Sequence, residues 1–320
     1  MLVAELVDQI PTSTQREVQD TYRRFGNDVR NAVSKAIRLP LSWANKEDGI
    51  AWNCSSTVKI DIGYPEHVGR IGIDEEFELA ARLQVWLSSM RGFQGSAREM
   101  LNLAKLLGPH LDTFVDIPEF SGKIQDSESV VEKLIRLASI DRFNLAAVLL
   151  AVNKDILGLF SFDPSEGESA YKKVYRTDIS LYWGIIGLIA RLKGLSVEGL
   201  TATVLAHEYG HAFTHLGFDR KGKRASGHDF SKSDHMLVEA LAQYWTVIAL
   251  RYLDSRIPDA LPAYEALLKE QSSVYRAHLP WIDTYSLDTV AAALTSLRPT
   301  GPIGYDQFCA ELARIEPIAS

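Results

Sequence analysis

The sequence has little cysteine and no long apolar run. Of its 320 residues two are cysteines, Cys54 and Cys309, which are too few for a disulfide framework or for a site built from several thiolates. The longest apolar stretches, residues 143–152 and 179–192, are interrupted by polar or charged side chains before they reach the roughly 20 residues of a membrane span. These absences exclude a disulfide-stapled domain and predict that no segment crosses a membrane.

Excess positive charge is also absent. The chain carries 34 lysines and arginines against 41 aspartates and glutamates, a formal net charge of -7. Such a balance argues against general binding to nucleic acid and against attraction to anionic membranes. Residues 1–9 include Glu5 and Asp8, and they lack the positive opening and the apolar run of a secretory signal. We therefore expect a cytoplasmic protein whose partners are neither nucleic acids nor membranes.

The sequence does contain many helical patterns and a few strand patterns. A first helix is predicted from the Thr14–Glu17 capping-box pattern to Pro40. Alternating apolar residues predict a β-hairpin from residues 57–62 and 68–73, and a second pair of strands at 156–162 and 171–183. Further helices are predicted at 75–90, 97–107, 127–139, 142–154, 185–193, 233–253, 260–279, 287–297 and 305–315. The predicted fold class is therefore α+β, predominantly helical.

The most informative segment is a helix predicted between Ser196 and Gly217. Ser196 is a suitable N-cap, and Gly217 can end the helix in a left-handed conformation. The helix contains His207, Glu208 and His211. Histidines four residues apart lie about 40° apart around a helix axis and about 6 Å along it, so both imidazoles can bind one tetrahedral metal ion. The segment therefore predicts a metal site with a glutamate beside it.

Two histidines leave a catalytic zinc ion short of one protein ligand. The helix predicted at 233–253 offers Glu239 on its polar side, where a carboxylate would complete the site. His235, one turn earlier, is an alternative ligand, or a residue that orients substrate or stabilises an oxyanion. His215 lies about 12 Å beyond His207 along the helix axis, which favours a structural role over binding of the same ion.

The run His-Glu-Tyr-Gly-His at 207–211, followed by Glu239, resembles the gluzincin group of zinc metallopeptidases. This resemblance implies a zincin-like catalytic core with a small sheet and an active-site helix. It also implies that zinc is bound by His207, His211 and Glu239, with Glu208 as the general base. The substrate implied by the resemblance is a peptide or protein.

The chain departs from the gluzincin pattern at two points. Twenty-seven residues separate His211 from Glu239, a longer gap that is similar to that of the repressor- and antitoxin-cleaving metallopeptidases. Gln243 stands one turn after Glu239, where thermolysin-like enzymes carry an acidic residue. The resemblance covers about residues 156–253. We therefore expect a metallopeptidase region at 155–320, packed as one unit with a helical N-terminal region at 1–154 that carries the first β-hairpin.

The predicted function is hydrolysis of peptide bonds by a water molecule that zinc activates and Glu208 deprotonates. If the strands at 156–162 and 171–183 border the cleft, their free edge can bind an extended peptide through main-chain hydrogen bonds. The oxyanion also needs a hydrogen-bond donor, and the candidates are His235, His228, Tyr244, His278 and Tyr285. The alternative function is a non-catalytic, zinc-binding regulatory or scaffold protein with a degenerate zincin core.

Overall fold

The computed structural model describes residues 3–44, 51–63, 81–82, 84–85, 144–151, 156–162, 172–218 and 227–316. These parts of the chain are mostly helical and contain one small mixed sheet, which confirms the predicted, mainly helical α+β class. No helix in these ranges combines the length and the hydropathy needed for a membrane span. The predicted strand at 68–73 and the predicted helices at 97–107 and 127–139 lie outside the described residues.

The described helices are numbered here in chain order. The first seven are α1 Val3–Val7, α2 Ser13–Ile37, α3 Leu145–Leu150, α4 Trp183–Lys193, α5 Val197–Leu216, α6 Gly227–Phe230 and α7 His235–Leu253. The remaining ones are α8 Ala260–Leu268, α9 Ser273–Arg276, α10 Leu279–Ile282, α11 Leu287–Leu297 and α12 Tyr305–Ile315. The strands are β1 Ser42–Ala44, β2 Ala51–Asp61, β3 Gly158–Phe162 and β4 Lys172–Tyr182.

The four strands form one sheet in the order β1-β2-β4-β3. The predicted pairing of β3 with β4 is confirmed, since the two run antiparallel from Gly158↔Leu181 to Phe162↔Thr177. β2 extends well beyond the predicted strand at 57–62, and it pairs in parallel with β4 along its whole length. Among the described strands, β3 is therefore an edge strand.

Helix α2 buries the apolar stripe that its periodicity predicts, including Val18, Val29 and Val33, and it packs against α5 and α7. The predicted capping box is wrong. The N-cap is Thr12, whose side chain makes no capping hydrogen bond. Thr14 is buried and lies close to Gly187 of α4, because helix packing takes its side chain away from the helix end.

Helix α5 is buried on almost every side, so the face that carries the histidines is enclosed rather than open to solvent. The predicted N-cap is confirmed, since the Ser196 side chain accepts a hydrogen bond from the Gly199 amide at 2.8 Å. The predicted left-handed Gly217 is wrong, because its φ of -64° and ψ of 149° are extended. At Gly217 an added Cβ would lie 2.5 Å from the Leu39 Cβ. Close packing therefore explains this glycine.

The carbonyls at the end of α5 are bound by an arginine from the far end of the chain. Arg298 is buried and donates hydrogen bonds to the Gly217 carbonyl at 3.0 Å and to the His215 carbonyl at 3.1 Å. A guanidinium suits this position because carbonyls at a helix C-terminus lack partners within the helix and carry partial negative charge. The C-terminal segment thereby holds the end of α5 in place.

Three helices were predicted after α7, and the structure confirms two of them. The helices predicted at 287–297 and 305–315 are confirmed as α11 and α12. The single helix predicted at 260–279 is wrong, because it divides into α8, α9 and the start of α10. Ser272 is extended, with a ψ of 167°, and Pro280 begins a new turn at the N-terminus of α10.

Candidate metal centre

Helices α5 and α7 bring His207, His211 and Glu239 together in the buried interior. The two Nε2 atoms lie 3.1 Å apart, and Glu239 Oε2 lies 3.3 Å from His207 Nε2 and 3.6 Å from His211 Nε2. Among the described residues, these three form a group whose ligand atoms all lie within 4.8 Å of one another. The three residues predicted as metal ligands therefore converge on one point.

These distances fit a tetrahedral ion. Ligand bonds of about 2.0–2.2 Å place neighbouring donor atoms about 3.3–3.6 Å apart, close to the three separations of 3.1, 3.3 and 3.6 Å. Glu239 Oε2 is buried and faces the two imidazole nitrogens, where a cation would stabilise its negative charge. Two imidazoles and one carboxylate are a donor set that zinc uses in catalytic sites. The residues present therefore fit a zinc ion.

The Glu239 carboxylate is ionised in this environment. Burial by itself raises its pKa, but the neighbouring imidazoles of His211 and His207 outweigh burial and bring the pKa below the ordinary value. An ionised carboxylate next to two imidazole nitrogens supplies the negative charge that a divalent cation requires.

Close packing of α5 on α7 makes this convergence possible. At Gly210 an added Cβ would lie 3.0 Å from the Ala242 carbonyl oxygen and 3.1 Å from the Ala242 Cα. A side chain at this position would push the two helices apart, and the three candidate metal ligands come from both of them. Glycine between the two histidines therefore has a packing reason in addition to its place in the motif.

Glu208 lies beside the metal-ligating group, buried to 1% exposure, in the wall of a pocket that His207 also lines. Strand β3 begins directly over it. A Cβ added at Gly158 would lie 2.7 Å from Glu208 Oε1 and 2.8 Å from Val204 Cγ1. Glycine at the first residue of β3 therefore allows this strand to approach the carboxylate of the predicted general base.

The pocket beside Glu208 opens to solvent, and its empty space together with the solvent at its mouth amounts to about 520 Å³. Its aliphatic lining consists of Leu150, Ile156, Leu157, Val204 and Leu267. Its polar and aromatic lining, apart from the site residues, consists of Thr203, Gln243, Thr246, Tyr264, Gln271 and Tyr275. The pocket thus joins the predicted catalytic glutamate to a mainly apolar cavity.

His235 lies at the rim of the metal-ligating group. Its Nδ1 is 3.7 Å from Glu239 Oε1, and its side chain is 55% exposed. It contacts the carboxylate oxygen that faces away from the two Nε2 atoms. His215 is buried and packs edge-on against Phe230 with ring centroids 4.9 Å apart, so it has the surroundings of a structural histidine.

Among the other predicted oxyanion donors, those whose side chains the structure describes do not line the pocket. Tyr244 is buried against Trp245 and Trp281, and Tyr285 packs against the core; neither lines the pocket. The side chain of His228 lies outside the described residues. His278 is fully buried, behind the pocket wall.

His278 acts through a tyrosine of the pocket. Its Nε2 forms a 2.6 Å hydrogen bond with the hydroxyl of Tyr264. Burial, with a smaller contribution from the nearby His207, lowers the pKa of His278 from 6.5 to about 4. The imidazole is therefore neutral near pH 7 and supports the wall of the cavity.

Sequence reasoning missed two tyrosines of the site. Tyr275 is buried, with its ring centroid 6.2 Å from that of His207, and Tyr264 lines the same pocket. Both fall in the range 260–279, where a continuous helix was predicted. The available signal was Ser272, a residue that favours helix N-caps and here precedes the separate helix α9.

No known family model, curated protein or solved structure matches this chain. The site is therefore interpreted from its own residues and distances.

Proposed function

We propose that this protein is a zinc-dependent peptidase that hydrolyses peptide bonds, with His207, His211 and Glu239 as metal ligands and Glu208 as the general base. One observation carries the proposal. Three donor atoms from two helices converge at 3.1–3.6 Å separations, and a buried carboxylate that does not belong to this group lines the adjoining pocket. The same arrangement supports assignment to the gluzincin type and to a zincin-like core.

Each residue has a distinct task in the proposed reaction. Bound zinc would supply Lewis acidity, which lowers the pKa of a water molecule and polarises a carbonyl group. Glu208 accepts the proton of the attacking water and delivers it to the leaving amine. The enclosure of Glu208 by β3 holds its carboxylate in place and limits access of other water to it. His235, on the exposed side of Glu239, is the proposed donor to the oxyanion.

The position of β3 supports a peptide as the substrate. Among the described strands, β3 is an edge strand, and it begins at Gly158, over Glu208. Phe160 faces α5 and stacks on His211 with centroids 6.4 Å apart, whereas Leu159 is exposed. An extended peptide that adds to a free edge forms main-chain hydrogen bonds for affinity, and here it would pass close to the metal-ligating group.

The test is a comparison of wild type with Glu208→Gln. We expect the variant to retain equimolar zinc by elemental analysis but to lose about 10²- to 10⁴-fold in cleavage of a peptide library, since this is the range that a general base contributes. Glu265→Gln, which changes an exposed glutamate of α8, is the matched control and should cleave like wild type.

Three results would contradict the proposal in different ways. Undiminished cleavage by Glu208→Gln would remove the general-base role. Full zinc occupancy without cleavage of any library member would favour the non-catalytic regulatory or scaffold alternative. Absence of zinc from the purified protein, and no uptake on addition, would show that His207, His211 and Glu239 have a structural role.

A further inference from the structure

Four polar side chains in the lining of the pocket differ in whether their hydrogen bonds are satisfied. The Thr203 hydroxyl lies 2.9 Å from the carbonyl oxygens of both Gly199 and Ala260 and can donate a hydrogen bond to either. The Thr246 hydroxyl donates to the Ala242 carbonyl at 2.8 Å. The hydroxyl of Tyr264 is hydrogen bonded to His278. These three groups are occupied by the protein itself.

Gln243 is different. It is 5% exposed, its Oε1 is buried without a hydrogen-bond partner, and it lines the pocket. It lies one turn beyond Glu239 on α7, so the proposed metal ligand and the lining of the cavity are neighbours on the same helix. A buried amide without a partner is unfavourable unless a bound molecule supplies the missing hydrogen bond. Gln243 therefore indicates a ligand group that can form a hydrogen bond inside this cavity.

The rest of the lining restricts the chemistry of that group. Five aliphatic side chains and two tyrosine rings favour a ligand that is mainly hydrocarbon. Among the described residues that line the cavity, Glu208 is the group that is charged at neutral pH, apart from the proposed metal ligand His207. A carboxylate ligand would be repelled by Glu208, and an ammonium or guanidinium would pair with it and occupy the base. The ligand group is therefore uncharged, with one polar atom at its end.

We infer that the cavity receives a tyrosine side chain of the substrate, next to the scissile bond, and that Gln243 hydrogen bonds to its phenolic hydroxyl. The assignment of this tyrosine to a substrate rests on the proposed peptidase function. Binding of a phenol in the cavity does not depend on that function. The aromatic ring contacts the aliphatic walls, and the hydroxyl satisfies the buried amide. Gln243 is thereby the residue that determines specificity for tyrosine over phenylalanine.

The first experiment measures binding without turnover. The full-length protein is titrated with p-cresol and with toluene, the side-chain analogues of tyrosine and phenylalanine, by NMR. We expect wild type to bind p-cresol about tenfold more tightly, because toluene leaves the buried amide unsatisfied. In Gln243→Met, which keeps a similar side-chain volume, the preference should disappear or reverse.

Gln307→Met is the matched control. It changes an exposed glutamine of α12 that does not line the pocket, and it should keep the preference for p-cresol. Thermal unfolding of each variant reports whether it folds. If Gln243→Met does not fold, the wild-type comparison still decides: equal or tighter binding of toluene overturns the inference.

The second experiment uses matched peptides with tyrosine or phenylalanine on either side of the scissile bond. We expect about tenfold faster cleavage of the tyrosine peptide at one of these two positions, and loss of this ratio in Gln243→Met. Cleavage that depends on Glu208 but shows no such ratio would overturn the tyrosine pocket while leaving the peptidase function intact. A preference for p-cresol without any cleavage would support the pocket and contradict the peptidase.

Discussion

At the scale of single residues, buried histidines have two different surroundings in this protein. His207 and His211 face the ionised Glu239, where metal binding would use their nitrogens. His278 instead is fully buried and hydrogen bonded to the Tyr264 hydroxyl. Burial lowers its pKa to about 4, because an imidazolium there would lose its hydration without gaining a counter-ion. The surroundings of each histidine therefore distinguish the candidate metal ligands from the neutral, structural His278.

The lowered pKa of His278 predicts a loss of stability in acid. The folded-state pKa of about 4 lies below the ordinary value of 6.5, so the unfolded chain binds a proton first as the pH falls. This contribution to stability is fully present above pH 6.5 and is lost between about pH 6.5 and pH 4. We expect the contribution of His278 to the free energy of unfolding to decrease by about 2 kcal/mol when the pH falls from about 7.5 to about 5.

The measurement is urea unfolding of the chelated protein at these two pH values. Relative to wild type, His278→Gln should show less decrease in the free energy of unfolding on acidification. Tyr264→Phe removes the hydrogen bond but keeps the titrating histidine, so it should lose stability at both pH values and keep most of the pH dependence. Parallel acid profiles for wild type and His278→Gln would refute the assignment.

At the scale of elements, the critical contact is between the start of β3 and helix α5. Val204 and Glu208 of α5 occupy the space next to Gly158, where any larger residue would place its Cβ. Further along, Phe160 and Phe162 of β3 pack against His215. The strand therefore follows the helix, with its glycine at the Glu208 carboxylate and its aromatic residues over the following turns.

This contact predicts that Gly158→Ala impairs the proposed catalysis. The added methyl group would meet Glu208 Oε1 at 2.7 Å, so the carboxylate or the strand must move. Because a displacement of about 1 Å in a catalytic site can reduce rates about 100-fold, we expect a decrease of that size in kcat/KM with zinc content unchanged.

The control for this variant is Gly304→Ala. An added Cβ there meets nothing within 4 Å, and its φ of -81° suits alanine. It should retain wild-type activity. Wild-type kcat/KM in Gly158→Ala would show that Glu208 tolerates the displacement or does not act as the base.

At the scale of the whole molecule, the N-terminal part of the chain is built into the same core as the metal-ligating helices. Helix α2 packs against both α5 and α7, and β2 pairs with β4 in the sheet. Arg298, near the other end of the chain, binds the terminal carbonyls of α5. The candidate metal-binding group of His207, His211 and Glu239 therefore lies where distant segments of the chain meet.

A metal that binds at this junction should stabilise the whole fold. Zinc at a hundredfold excess over its Kd contributes about 3 kcal/mol when it binds only the folded state. For a chain of this size we expect a rise of about 5 °C in Tm on zinc addition after chelation. The measurement is calorimetry of the chelated and the zinc-saturated protein.

Glu239→Gln retains the shape of the ligand but loses its charge, so most of the zinc-dependent rise in Tm should vanish in this variant. Glu265→Gln, in an exposed position of α8, should keep the full rise. An equal rise in both variants would mean that zinc stabilises the protein from another site.

Much of the local structure was predictable because it depends on neighbours in sequence. The Ser196 cap, the histidines one turn apart in α5 and the bounds of α11 follow from hydrogen bonds and side-chain spacing over a few residues. The capping box at Thr14 failed because the N-cap is Thr12, while Thr14 is buried next to Gly187 of α4. The helix at 260–279 failed because two local breaks within it were not recognised.

The sequence by itself therefore determined the helix that presents His207, Glu208 and His211, along with the proposal that Glu239 joins them. Only the tertiary structure decided that β2 and β4 run in parallel, that Gly158 lies against Glu208, and that Gln243 faces a cavity. Periodicity reports which face of an element is apolar. It contains no information about which distant element covers that face, because such contacts depend on how the whole chain fills its interior.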